Sequence, residues 1–389
     1  MKLIAVLLSG ILLLANQPAH SAPIISVKSV STNFSFETNL DISRTILKQD
    51  LIIAVGSFDG SADISARTFD GAIKWRLALK DGVIATDVKE GTDGTFWVLG
   101  GGESFETNTV VIPSGLINPD SITVIPRTPL SKGLTELRLW NISNSGKLLA
   151  NISLSNQYPS FPKAFAFTEK GMVIVGSQIT SKGSAGAIWM CSLTACELPQ
   201  LIGVQSTALN DVTNFGSDVY CVGQSGETIN KLPVKGVLDG ILLRVEKTGK
   251  LKSVVRSSLP KIKRNWENVT NGYLQGGFAE GKTSEATVTQ FSGTKFGTPV
   301  WSARFPAQSS ATSAGNGALF LSSGPINGLK NWKPKLQLLL LTFTGKGSIK
   351  TGITITTGGN PVWLSYLKGL GYGVISAQGN TMYFTLIRE

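Results

Sequence analysis

Apolar residues along this chain fall in short runs of about four to eight, rich in Val, Ile, Leu and Phe and punctuated by Gly, Ser, Asn and Asp. No stretch carries the 3.6-residue period of a long amphipathic helix, so the predicted class is all-β. One apolar run recurs and ends each time in glycine or a small residue: IIAVGSFDG from Ile52, FWVLGGG from Phe96, VIVGSQ from Val173 and VYCVGQSG from Val219. It continues as YLQGGFAEG from Tyr273, LFLSSG from Leu319 and YGVISAQG from Tyr372. After it come a loop, a third strand, a tight turn and a fourth strand, as in ADISARTFDGAIKWRLAL and LDGILLRVEKTGKLKSVVRS. Asp70-Gly71, Ser145-Gly146, Thr248-Gly249 and Thr344-Gly345 supply the glycine such turns need.

A spacing of about fifty residues is the size of a four-stranded β-propeller blade. The last copy ends after its third strand, while Ile24 to Val30 forms a spare strand at the other end. Pairing the two would remove an exposed edge. The expected architecture is therefore a β-propeller of seven four-stranded blades closed by an N-terminal strand, with two packed sandwiches as the alternative. The segments LDGILLRVEKTGKL and ADISARTFDGAIKWR resemble the bacterial extracellular propeller repeats of the SBBP type, in which an Asp-led strand runs into an xxxGxxxW turn. The Asp stands at Asp63 and Asp239 only, and the Trp at Trp75 and Trp301 only. That resemblance implies a fold and an extracellular setting, and no reaction.

Met1-Lys2, the apolar stretch Leu3 to Leu14 and the small residues around Ser21 read as a signal peptide spanning residues 1–21. The apolar stretch is shorter than a bilayer-spanning helix. Residues 22–389 are then expected to form one propeller domain with a long loop insertion at 101–133, exported to the cell envelope or beyond, monomeric and without a transmembrane segment. The single histidine, His20, leaves with the leader. Its loss excludes Ser-His-Asp and Cys-His nucleophiles, histidine-bound zinc and axial-histidine haem, and no metal or other cofactor is expected. Cys191 and Cys196 flank a four-residue turn and form a candidate disulfide. Cys221, within an apolar run, reads as a buried thiol.

The formal net charge is +11, and the basic residues are scattered rather than blocked, which argues against nucleic acid as a partner. Loops between second and third strands share a face with the blade connections, and here they are the long ones: 101–133, 223–237, 277–284 and 324–334. They and one connection carry Lys231, Lys235, Lys261, Lys263, Arg264, Trp266, Lys282, Lys330, Trp332 and Lys333. Cations interleaved with aromatics suit an anionic cell-surface polymer, a glycan or an acidic protein. The leading functional expectation is thus a non-enzymatic binding scaffold. The rival is a glycoside hydrolase-like enzyme with carboxylates in the central channel, for which Asp41, Asp87 and Asp211 on first strands are candidates.

Overall fold

The computed structural model describes residues 24–103, 134–330, 332–333, 336–356 and 359–389. The expected leader and most of the 101–133 insertion lie outside them. Every regular element among the described residues is a strand.

Successive strands pair as antiparallel meanders. The first sheet runs Leu40–Leu47, Ile52–Phe58, Ser61–Arg67 and Ile73–Ala78, and the second Ile84–Glu90, Phe96–Gly102, Glu136–Ile142 and Leu148–Ser155. Ser160–Thr168, Gly171–Thr180, Gly183–Cys191 and Gln200–Ile202 form the third. Thr207–Phe215, Asp218–Ser225, Asp239–Glu246 and Leu251–Ser257 form the fourth. The fifth holds Lys263–Val269, Leu274–Glu280, Ser284–Phe291 and Pro299–Pro306. A six-stranded sheet comes next, built on Thr312–Ala314, Gly317–Ser322, Gln337–Phe343 and Ile349–Ile355, and widened by Ile25–Val30 and Leu329–Lys330. The last sheet runs Asn360–Leu367, Gly371–Gln378, Thr381–Arg388 and then Phe34–Ser35.

The expectation of seven four-stranded blades closed by Ile24 to Val30 is therefore corrected. Six sheets are four-stranded blades and the remaining sheet has six strands. Ile25–Val30 does not close the last blade. It lies parallel to Ile349–Ile355, with Val27 opposite Gly352 and Val30 opposite Ile355. The reason lies in the residues just C-terminal to this strand. Phe34 packs on Phe384, and the Asn33 and Phe36 amides donate to the carbonyls of Phe384 and Met382. These contacts claim the edge of Thr381–Arg388, and the preceding strand is carried past it to the neighbouring sheet.

The core is partitioned between sheets rather than gathered at one centre. One cluster joins Val55 and Ile64 of the first sheet to Val98 and Trp140 of the second, and another joins Leu99 and Leu139 to Ile174 and Trp189 of the third. The circle closes where Ile42, Ile52 and Ala54 meet Ile375 and Phe384 of the last sheet. Each large apolar side chain so buried contributes about 1.5–3 kcal/mol, and every sheet has two neighbours to pack against. This is the radial packing of a β-propeller.

The recurrent second-strand glycine has a steric cause. In five sheets the first strand carries a β-bulge opposite it: Gly56 pairs with Ile42, Gly100 with Ala85, Gly176 with Pro162, Gly223 with Leu209 and Gly277 with Trp266, with the register slipping immediately afterwards. A Cβ at these glycines would overlap a first-strand carbonyl oxygen, that of Asp41, Ile84, Phe161, Ala208 or Asn265. Only glycine admits the approach. The turn glycines answer to conformation instead, with φ of 95° at Gly71, 84° at Gly146 and 87° at Gly249. In the turn after Gln337–Phe343 that duty falls to Gly347, at 85°, rather than to Gly345. The repeat tryptophans dock on these turns one sheet onward: a Cβ on Gly146 would come 2.6 Å from Trp75, and one on Gly347 would come 2.7 Å from Trp301.

The two kinds of glycine can be told apart by substitution. Gly223→Ala should cost about 1–3 kcal/mol in urea unfolding, because the Ala208 carbonyl must move. Gly345→Ala, with nothing within 4 Å of the new methyl, should stay within about 0.5 kcal/mol of the parent.

Candidate functional site

First strands line the channel, and the bulge decides what each presents there. The residue just after the bulge is Arg44, Asp87, Ala164, Asp211, Asn268 or Trp363, according to the sheet. These side chains reach across to neighbouring sheets. The Trp363 indole donates to the Thr45 carbonyl at 3.1 Å, and Arg44 donates to Asp87 at 2.9 Å. Asp87 accepts from the Phe165 amide, Asp211 from the Val269 amide and Asn268 from the Ser313 amide, each at 2.9 Å.

Arg44 is the centre of this layer. Its guanidinium lies 4.2 Å from the Trp363 ring centroid and also meets Asp211 at 3.4 Å, from the far side of the channel. The side chains of Arg44, Asp87 and Asp211 are 11%, 2% and 5% exposed, so this is a desolvated triad. Burial disfavours the Arg44 charge, but the two carboxylates more than offset it and raise the guanidinium above its ordinary range. On the side of the first-to-second-strand turns the layer floors a cavity of about 280 Å³, walled by Lys89, Thr270, Asn271, Tyr366 and others. The described loops between second and third strands lie at the opposite mouth.

The bulge's own extra residue faces the channel too. In the third and fifth sheets these residues are Lys163 and Glu267, both exposed to channel solvent. Confinement by surrounding protein raises the Glu267 carboxyl, and Lys163, Arg44 and a hydrogen bond from Asn265 draw it partly back.

Of the three sequence-nominated carboxylates, Asp41 is exposed and takes no part in this layer. Asp87 and Asp211 do converge, sharing one guanidinium nitrogen, a closeness that paired glycosidase carboxylates also show. Their chemistry differs, however. One oxygen of each neutralises Arg44 and the other accepts a buried amide. A general acid or base needs a carboxyl free to take or give a proton. Here both are committed to joining sheets.

On the long-loop face, the loop between Asp218–Ser225 and Asp239–Glu246 is held rigidly. Glu227 accepts from the amides of Val204, Gln205 and Ser206 at 3.0–3.1 Å and from the Thr207 hydroxyl at 2.8 Å. Burial opposes its charge, but these donors hold its carboxyl below the usual range. Asp239 caps the Lys235 and Gly236 amides and pairs with Arg256 at 3.1 Å. Lys231 sits at the tip of a two-residue turn between Ile229 and Leu232, and Lys261 in the turn from Leu259 to Ile262. The two segments adjoin, since Val237 donates to Ile262 at 3.0 Å and Arg264 to Leu238 at 2.8 Å. Gly281, beside Lys282, lies against Ile262.

The other nominated residues divide. Lys263 pairs with Glu280 at 3.1 Å. Trp266 is fully buried, because it occupies the apolar pre-bulge position of its strand, so it is core rather than ligand contact. Arg264 stacks on its ring at 4.5 Å. Trp332 is half-buried against the six-stranded sheet and donates to Gly324, while Lys330 turns to the outer edge opposite Ser26. Lys333 is exposed beside them. Cys191 and Cys196 form the expected disulfide, and Cys221 is a buried thiol whose pKa burial pushes up. Arg44 went unnominated. Its signal was available in the aligned first strands, where it holds the position that Asp87 and Asp211 hold in theirs.

No protein-family model matches the chain, and no curated protein matches it. Among solved structures, a chain of Kuenenia stuttgartiensis hydrazine synthase is similar at 9% identity, covering 96% of this chain and 98% of its own, with a TM-score of 0.51. At that identity the likeness concerns fold alone. The fold is a β-propeller. The WD40 domains of Neurospora crassa Pan2 and Toxoplasma gondii coronin also match, at 9% and 11% identity and a TM-score of 0.47 each. They cover 89% and 95% of this chain and 90% of their own.

Removing the shared cation tests the triad. Arg44→Leu should cost about 3–5 kcal/mol at neutral pH, because two buried carboxylates lose their partner. Adding Asp87→Asn and Asp211→Asn should restore most of the loss, read by urea unfolding.

Proposed function

We propose that this propeller is an exported binding scaffold whose long-loop face takes an anionic polymer, with Lys231, Lys235, Lys261 and Lys282 as the core of the contact. One observation carries the reading. Lys231 and Lys261 hold left-handed backbone conformations, with φ of 65° and 61°, at turns in two adjoining segments. Glycine or asparagine fits such positions at less cost, by about 1 kcal/mol, so lysine there trades stability for an outward cation. Neither these two nor Lys235 or Lys282 makes an ion pair among the described residues. A rigid face of unneutralised lysines attracts polyanions by field and counterion release rather than by shape.

Export is part of the proposal. It is supported by the N-terminal pattern of residues 1–21, the Cys191–Cys196 disulfide and the resemblance of two repeats to SBBP-type extracellular propellers. Protein recovered outside expressing cells should have the intact mass of a chain beginning at Ala22; a mass retaining the leader would remove that part.

Binding is tested on an immobilised sulfated or uronic polysaccharide at low and physiological salt. Lys231→Gly and Lys261→Gly should each leave urea stability equal or higher by up to about 1 kcal/mol, yet weaken retention. The control is Lys170→Gln, on the opposite face. Equal loss from Lys170→Gln, or none from the two glycine variants, would overturn the assignment.

A further inference from the structure

We propose that the crevice between the outer strands of the fourth and fifth sheets binds a small organic carboxylate, with Arg264 receiving the carboxyl group. The site uses none of the four lysines of the polymer reading and stands without it.

The crevice has a volume of about 220 Å³ and is lined by Arg256, Arg264, Thr289, Ser302, Val255 and Phe291 among others. Its cations differ in one respect. Arg256 is paired: Asp239 at 3.1 Å, the Ser225 carbonyl at 3.4 Å and the Glu227 carbonyl accept from its two terminal nitrogens, and only its Nε is left without an acceptor. Arg304, next along, pairs with Glu285 at 3.2 Å. Arg264 has no such partner. Its Nε is buried without an acceptor, no carboxylate lies within ion-pair distance among the described residues, and its one contact of note is the face of Trp266 at 4.5 Å. Desolvation, and then repulsion from Arg304, lower it to about 10, so it remains a cation at neutral pH.

A desolvated guanidinium without an anion is an unfilled demand, because buried charges are otherwise paired. Stacking on Trp266 fixes the plane of the fork and leaves its edge for a planar bidentate acceptor, the geometry of a carboxylate. Beside it, the Thr289 and Ser302 hydroxyls lie 2.7 Å apart and can turn a donor toward the same oxygens. Apart from Ser257, the rest of the wall is apolar, with Leu242, Val255, Phe291 and Pro299. A hydrated inorganic anion would gain nothing from those groups, whereas a short aliphatic acid would bury its chain against them.

The test is calorimetric titration of the full-length mature protein with butyrate at constant ionic strength, chloride making up the difference. Saturable binding is expected for the parent and for Lys263→Gln, which keeps the crevice and alters the adjoining face. Arg264→Gln, which removes the charged partner, and Arg264→Lys, which keeps the charge but loses the bidentate fork, should each bind at least about tenfold more weakly. Urea unfolding should find Arg264→Gln no less stable than the parent, which separates loss of the site from loss of the fold. Equal butyrate affinity in parent and Arg264→Gln, no saturable butyrate binding by the parent, or sulfate binding more tightly than butyrate would each overturn the proposal.

Discussion

Five sheets depend on a close approach between a second-strand glycine and the bulged carbonyl of the strand inside it. At Gly56, Gly100, Gly176, Gly223 and Gly277 no side chain fits, and the absence lets the innermost strand slip one residue. That slip brings the side chain after the bulge round to the neighbouring sheet. Arg44, Asp87, Asp211 and Asn268 take their roles from it, while the bulge before Trp363 sits opposite Ser376. A steric allowance on one strand thus sets the chemistry of the next.

The consequence is a propeller tied twice. Apolar clusters fill each gap between sheets, and near the axis a second set of links is polar, running from side chain to neighbouring backbone. Desolvation makes those links costly to leave unmade, which favours an all-or-none ring over independent blades. Arg44 matters most because it joins Asp87 in the adjoining sheet to Asp211 across the channel. The same commitment takes both carboxylates out of acid–base service, so a pair that resembles a catalytic dyad in separation functions as a brace.

Much of this was legible in the chain. The recurrent runs all fall in second strands, and in five of the seven sheets the steric requirement of the bulge leaves a glycine at one position. The cross-channel pair did not show, since Arg44 and Asp211 are 167 residues apart and opposite charges at that distance carry no local signal. Trp266 misleads for a related reason: its neighbours Arg264 and Glu267 are polar, and only alignment with Ile42 and Leu209 at the pre-bulge position reveals it as core. The acid that pairs diagonally with a fourth-strand arginine also extends beyond Asp63 and Asp239. Glu285 with Arg304 repeats Asp63 with Arg76 in the same register, so the device survives a change of residue type that a search for Asp overlooks.

Such redundancy explains where freedom remains. Diagonal acid–arginine pairs, turn glycines under Trp75 and Trp301, and the axial ring fix the strands from rim to channel, leaving the second-to-third-strand loops as the part least bound by the repeat. Glu227 and Asp239 then restrain one of those loops through backbone amides, a use of carboxylates that stabilises a conformation without spending its lysines. Where a fold has this many internal ion pairs, an unpaired cation is informative. Among the arginines, Arg264 in its crevice departs from the pairing that Arg44, Arg76, Arg256 and Arg304 obey, and a desolvated guanidinium left without an anion is the costlier exception.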